Sequence, residues 1–171
     1  MAGSPHHQPC PDAKTGFVFI CPGRFEAARG FPCAAGTGAN LGRVLVELHG
    51  LRPDLFPAPD RSKYVITNSW NAVEFPALTG RSVPTESEVL APENLARLRT
   101  EIAHLQTVIA CGAQAQAAVR ALAANGAIRA RVAYGRHLSQ RSVNMIAGGS
   151  DTPSRIRLWC EALLAQLDAP Q

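Results

Sequence analysis

The chain has 171 residues, the size of one ordinary domain, and a compact chain of that length buries roughly 70% of its unfolded surface, enough for a core without covalent staples. Seventeen Lys and Arg against thirteen Asp and Glu leave a formal charge of +4, and only 18% of residues are charged. That balance excludes a highly charged tail protein and a disordered chain, and describes a mildly basic, apolar-rich globular domain. The basic residues are lopsided: fifteen are Arg, and Lys14 and Lys63 are the two Lys. Arg suits bidentate contact with phosphate or carboxylate, whereas Lys supplies nucleophilic amines, so few residues are open to Schiff-base chemistry. With 28 Ala in the same chain, a compositional bias explains the Arg excess equally well.

The five cysteines, Cys10, Cys21, Cys33, Cys111 and Cys160, are odd in number and contain no C-x-x-C, which argues against a disulfide framework and against a zinc site. Residues 1–14 read as a flexible arm without the apolar core of a secretory leader. No apolar run approaches the ~20 residues that span a bilayer. The expected location is the cytoplasm.

In chain order, Gly16 to Cys21 is a short apolar run stopped by Pro22-Gly23, the first strand. A Gly-rich stretch, Gly30 to Gly38, precedes a helix from Asn40 to His49 with Leu41, Val44, Leu45 and Leu48 on one face and Gly50 as its stop. Pro53 to Arg61 is a loop, Tyr64 to Asn68 the second strand, and Ser69 to Ser82 a long connection. Pro84 to Leu105 contains a helix presenting Leu95, Leu98, Ile102 and Leu105. Thr107 to Gly112 is the third strand, Gln114 to Ala124 a helix ended by Asn125-Gly126, and Arg129 to Tyr134 a fourth strand. Asp151 or Thr152 caps a last helix, with Pro153 in its first turn and Ile156, Trp159, Leu163, Leu164 and Leu167 on its apolar side. Apolar strands alternating with helices predict an α/β fold: a three-layer α/β/α sandwich around a central four-stranded parallel sheet, forming a single domain over 15–171. In such folds the site lies beyond the C-terminal ends of the strands. Three segments stand there: Cys21 to Glu26, Thr67 to Asn71, and Arg136 to Arg141.

These segments resemble, in this order, the uracil-DNA glycosylase superfamily, over about Phe17 to Asn144. Phe19-Ile20-Cys21-Pro22-Gly23-Arg24-Phe25-Glu26 followed by Gly30-Phe31-Pro32-Cys33 is similar to the family's Pro-Gly-x-x-Glu and Gly-x-Pro-Phe. Ile66-Thr67-Asn68 is similar to its strand ending in a base-reading Asn. His137-Leu138-Ser139-Gln140-Arg141 is similar to its His-Pro-Ser loop, which inserts into DNA. The chain departs from the pattern where Cys21 replaces the Asp or Asn before the Pro, where Ile20 stands at the position of a Glu in some members, and where Cys33 replaces the base-stacking Phe. The four cysteines of the iron–sulfur members are not matched, so no cluster and no other cofactor or metal is expected.

The resemblance implies base flipping and cleavage of an N-glycosidic bond. Asn68 would read the base, since an amide matches the N3–H and O4 of uracil and opposes the pattern of cytosine. His137 would donate a hydrogen bond to the departing base. Glu26 would position water or stabilise the cationic sugar, unless it pairs with Arg24 or Arg29. Phe31 would stack in place of Cys33, while Cys21 and Gly23 would contribute backbone beside the base. Ser139 and Gln140 would contact the DNA backbone, Arg141 would wedge into the space the base vacates or grip phosphate, and Arg24, Arg29 and Arg136 lie in the same site-edge loops. With no Lys in these motifs, the expected activity is that of a monofunctional uracil-DNA glycosylase acting as a monomer on single- or double-stranded DNA and leaving an abasic site. The alternatives are a glycosylase for another damaged or mismatched base, or a protein that binds uracil or abasic DNA without cleaving it.

Overall fold

Alternation along the strands decides which helices cover which face of the sheet. The computed structural model describes residues 3–170. Its strands are β1 (His7–Gln8), β2 (Thr15–Phe19), β3 (Val65–Asn68), β4 (Thr107–Cys111) and β5 (Arg131–Gly135), joined in the order β1-β3-β2-β4-β5. From β3 to β5 the pairs are parallel, with Phe19 level with Asn68 and Ala110 level with Tyr134. Phe17, Phe19, Ile66 and Ile109 face α2 (Gly36–Leu51) and α8 (Thr152–Asp168). Val18, Val65, Val108 and Ala110 face α5 (Pro92–Ile102) and α6 (Ala113–Ala124). Period-2 side chains thus fill two cores, one on each face of a mixed, mostly parallel sheet. The rings of Phe17, Phe56 and Tyr64 pack together in the first of these, each fully buried side chain contributing roughly 1.5–3 kcal/mol.

The sheet has five strands rather than the four expected. The additional strand, β1, comes from the segment 1–14 and runs antiparallel to β3, with His7 opposite Thr67 and Gln8 opposite Ile66. Two residues carry no periodicity that a sequence pattern can register. The helix expected within Pro84–Leu105 is α5, opened by Pro92, and a separate short helix, α4 (Glu86–Val89), precedes it, because Pro92 cannot continue a helix from α4. Pro76 likewise opens α3 (Pro76–Thr79) within the long connection, and α8 begins where Asp151 accepts from the Ser154 N–H at 2.8 Å. Two short helices lie inside the motifs: α1 (Arg24–Arg29), ended by Gly30, and α7 (Gln140–Asn144), capped by Ser139. Among the described residues no helix is long and apolar enough to cross a membrane.

A buried charge fastens β1 to the sheet. Glu101, on α5, has a side chain only 10% exposed; it accepts from Thr67 Oγ1 at 2.5 Å and from Arg97 at 2.8 Å, and meets His6 Nε2 at 3.4 Å. Ser4 Oγ lies 2.6 Å from His6 Nδ1. Burial opposes ionisation of Glu101, but the hydrogen bonds from His6 and Thr67 and the Arg97 guanidinium outweigh it and hold its pKa down to about 2. Arg97 also donates to the carbonyls of Asn68 at 3.0 Å and Ser69 at 3.2 Å. A carboxylate whose folded pKa is depressed lends stability that is fully present above its ordinary value of 4.5 and is lost as pH falls toward about 2. Urea denaturation should therefore find Glu101→Gln less stable than the parent by a constant gap above pH 4.5, a gap that closes between 4.5 and about 2. A gap independent of pH over that interval would contradict the assignment.

Candidate active site

A cleft of about 470 Å³ opens beyond the C-terminal ends of β2 and β3. Cys21, Gly23, Glu26, Asn68, His137, Ser139 and Arg141 all line it, so residues far apart in the chain meet in one place. Gln140 instead lines an adjoining groove of about 600 Å³ with Arg24, Phe25 and Phe75. A larger hollow of about 760 Å³ between α2 and α8 contains none of the expected site residues.

Asn68 ends β3 and is 2% exposed. Its Nδ2 donates to the carbonyl of His6 at 3.2 Å. A carbonyl only accepts, so the amide face toward His6 must be its nitrogen, and the orientation of the amide is fixed by chemistry. One Nδ2 hydrogen and both lone pairs of Oδ1 are left, and among the described residues no donor engages Oδ1.

His137 packs edge-on against the Phe19 ring, with centroids 5.9 Å apart. Phe19 is also level with Asn68 in the sheet. Burial lowers the pKa of His137 below 6.5, against an opposing pull from Glu26, and the ring is neutral at pH 7. Its Nδ1 accepts from the Ser139 N–H at 3.0 Å, so the single ring proton resides on Nε2. The site thus holds a neutral imidazole with its donor free. Asn40, fully buried on α2, donates from Nδ2 to the Leu138 carbonyl at 2.9 Å and fixes the loop behind His137. Gly112 gives that loop its space: its φ is +98°, and a Cβ there would lie 2.7 Å from Ile20 Cδ1 and 3.4 Å from His137 Cβ.

Glu26 pairs with neither Arg24 nor Arg29. Its Oε2 accepts from the Gly23 N–H and its Oε1 from the Ala34 N–H, both at 3.0 Å, so the carboxylate staples the Pro-Gly turn to the Gly-rich loop. Each oxygen retains a lone pair, and the carboxylate still lines the cleft. Cys21 is no anion: burial, with Glu74 and Glu26 nearby, raises its pKa to about 12. Its thiol donates to the Ser82 carbonyl at 3.5 Å. Ser82 and Val83, which form the cleft wall opposite, follow Arg81, whose guanidinium grips Glu74 at 2.5 Å and Glu88 at 2.7 Å.

Phe31 does not reach the cleft. Its ring, 41% exposed, lies under the Arg61 guanidinium at 5.3 Å. Arg61 also donates to the carbonyls of Pro32 and Cys33, holding Cys33 at φ +54° in the cleft wall. Gly38 allows this: a Cβ there would sit 2.0 Å from the Cys33 carbonyl oxygen. Arg141 and Arg136 are exposed, as are Arg24 and Arg29. Among the described residues no three His, Cys, Asp or Glu stand together closely enough to hold a metal ion.

A scan against protein-family models finds none that matches the chain, and a search of curated proteins returns no match. The residues that support the site without lining it are the ones that sequence patterns passed over. Asn40 sits among apolar neighbours on a buried helix face, where a lone amide signals a loop to be held. Arg97 and Glu101 are four apart on α5, a spacing that usually marks a solvated pair. Gly112 reads as the last residue of the third strand, whereas β4 ends at Cys111. Gly112→Ala should lower stability by about 1–3 kcal/mol in chemical denaturation, through strain at a positive φ and the clash with Ile20. An unchanged midpoint would mean that the Ile20 and His137 loops have slack the packing does not reveal.

Proposed function

We propose that this chain is a monofunctional DNA glycosylase that takes a flipped-out uracil into the cleft and hydrolyses its N-glycosidic bond, leaving an abasic site. The helices on both faces of the sheet support the finer reading of a three-layer α/β/α sandwich of glycosylase type. The observation that carries the function is the pairing, across one cleft, of an oriented amide at Asn68 with a neutral, Nε2-protonated imidazole at His137.

Uracil presents O4 as an acceptor and N3–H as a donor, which complement the free Nδ2 hydrogen and Oδ1 of Asn68. Its O2 gains negative charge as the bond to the sugar breaks. His137 Nε2–H donates to that oxygen and needs no proton from solvent to do so. Preorganised donors of this kind are worth about 10²–10³ in rate. Positive charge grows on the sugar at the same time, and among the described residues Glu26 is the one acidic side chain lining the cleft to face it. Because its two oxygens are already held by Gly23 and Ala34, Glu26 acts as a fixed negative charge and an acceptor for water, stabilising the cation and aligning the nucleophile. Cys21 stays neutral and supplies shape. Arg141, Ser139 and, from the adjoining groove, Gln140 face the DNA backbone. The neutral Cys21 also favours a second reading, a protein that binds uracil or abasic DNA and does not cleave, since no second anion assists the water.

Uracil-containing single- and double-stranded oligonucleotides, incubated with the protein and then treated with alkali, should be cut at uracil. Retained binding with no scission at high protein concentration would favour the second reading. His137→Ala should lower excision about 10²–10³-fold with the fold intact. Since the folded pKa of His137 lies below 6.5, excision should fall on acidification with a midpoint below 6.5, as Nδ1 is protonated and loses the Ser139 N–H. A rate that rises on acidification would mean that the imidazolium is the working form.

A further inference from the structure

The N-terminal strap is a specificity element. We propose that the backbone carbonyl of His6, locked in place through Glu101, determines which way the Asn68 amide faces and thereby sets discrimination of uracil from cytosine. This inference rests on the glycosylase reading and deepens it.

An Asn amide has two nearly isosteric orientations related by a half turn. One presents Nδ2–H to O4 and Oδ1 to N3–H, as uracil requires. The other presents Oδ1 to the N4 amino group and Nδ2–H to N3, as cytosine requires. Nothing in the Asn side chain prefers one over the other. The choice comes from a group outside the cleft, the His6 carbonyl, which accepts from Nδ2 at 3.2 Å. Turning the amide over would set Oδ1 against a carbonyl oxygen, two acceptors facing each other, and would forfeit that hydrogen bond.

The carbonyl can do this only if the strap is stationary. Three separate ties hold it. His6 bonds through Nε2 to Glu101, itself fastened to Thr67 and Arg97. β1 pairs with β3 one residue before Asn68, with His7 opposite Thr67. Gln8 donates from Nε2 to the carbonyls of Arg61 at 2.8 Å and Tyr64 at 3.2 Å. Arg97 donates to the main-chain carbonyl of Asn68, so the same network fixes both the strand end and the strap that lies against it. His6 is a positioning residue: it acts on the base through Asn68 and does not touch it.

The test compares excision from matched single-stranded oligonucleotides carrying one uracil or one cytosine at the same position. The proteins are the parent chain, His6→Ala, and a chain lacking residues 1–6, which keeps β1. The ratio of kcat/KM for uracil to that for cytosine should fall about tenfold or more in both variants, the worth of one to two hydrogen bonds. Variants that merely lose stability lower both rates by a common factor and leave the ratio alone. His6→Gln, which keeps a side-chain donor able to reach Glu101, should restore much of the ratio. In an Asn68→Asp background, where the two side-chain oxygens are equivalent, removing residues 1–6 should change the ratio no further. An unchanged ratio in folded His6→Ala and in the shortened chain would overturn the inference while leaving uracil excision by the parent standing. No uracil excision by the parent would overturn the glycosylase reading and this inference together. A ratio that falls equally in the Asn68→Asp background would overturn the inference alone, by showing that the strap acts elsewhere.

Discussion

The Glu101 carboxylate is the charge around which the candidate site is organised. A nearly buried anion is tolerable only when hydrogen bonds and a counter-charge replace its lost hydration, and here Thr67, Arg97 and His6 supply them from three different parts of the chain. Removing one partner of such a group commonly costs about 3–5 kcal/mol, because the remaining charge is stranded. The consequence reaches the cleft directly. Thr67 precedes Asn68, Arg97 holds the Asn68 carbonyl, and His6 holds the Asn68 amide. A two-residue strand, which would be marginal by itself, becomes part of the sheet because this carboxylate anchors the residue before it.

The electrostatics of the cleft are simpler than its count of titratable residues suggests. His137 is neutral through burial, Cys21 is a neutral thiol through burial, and Cys33, buried in the wall, is pushed still further toward the thiol form. Glu26 is the acid left facing the space where positive charge would grow, and its two backbone partners keep it there. Fixed dipoles and one fixed charge stabilise separated charge better than mobile water does, which is the demand the proposed reaction would place on this cleft. The same neutrality sets the limit of the arrangement: among the described residues no acid besides Glu26 lines the cleft.

The strands and long helices were legible because burial on two faces writes continuous apolar runs and 3.6-residue spacing into the sequence. The α8 cap was legible as Asp151 or Thr152, and the fold decides for Asp151. The cleft residues Asn68, His137 and Glu26 were legible as polar residues at or soon after strand ends. What the sequence concealed was support. β1 is too short for any pattern and is fixed by contacts from 53 residues and more away in the chain, as Gln8 with the Arg61 carbonyl illustrates together with His6 and Glu101. Phe31 looked like a stacking ring because it sits near Cys33 in sequence, yet the Arg61 guanidinium takes its face outside the cleft. Glu26 looked free to pair with a nearby Arg, but two backbone N–H groups hold it, and such partners have no sequence signature. Asn40 and Arg97 look like incidental polar residues on helices, and only the fold shows that each holds a backbone carbonyl at the site.

The most direct measurement is a crystal structure with the product base uracil bound. Asn68 Nδ2 should lie within hydrogen-bond distance of O4 and Oδ1 within that distance of N3, with His137 Nε2 on O2 and the His6 carbonyl still on Nδ2. Uracil bound away from Asn68 and His137, or turned so that His137 meets O4, would contradict the proposed base reading and the source of rate enhancement with it.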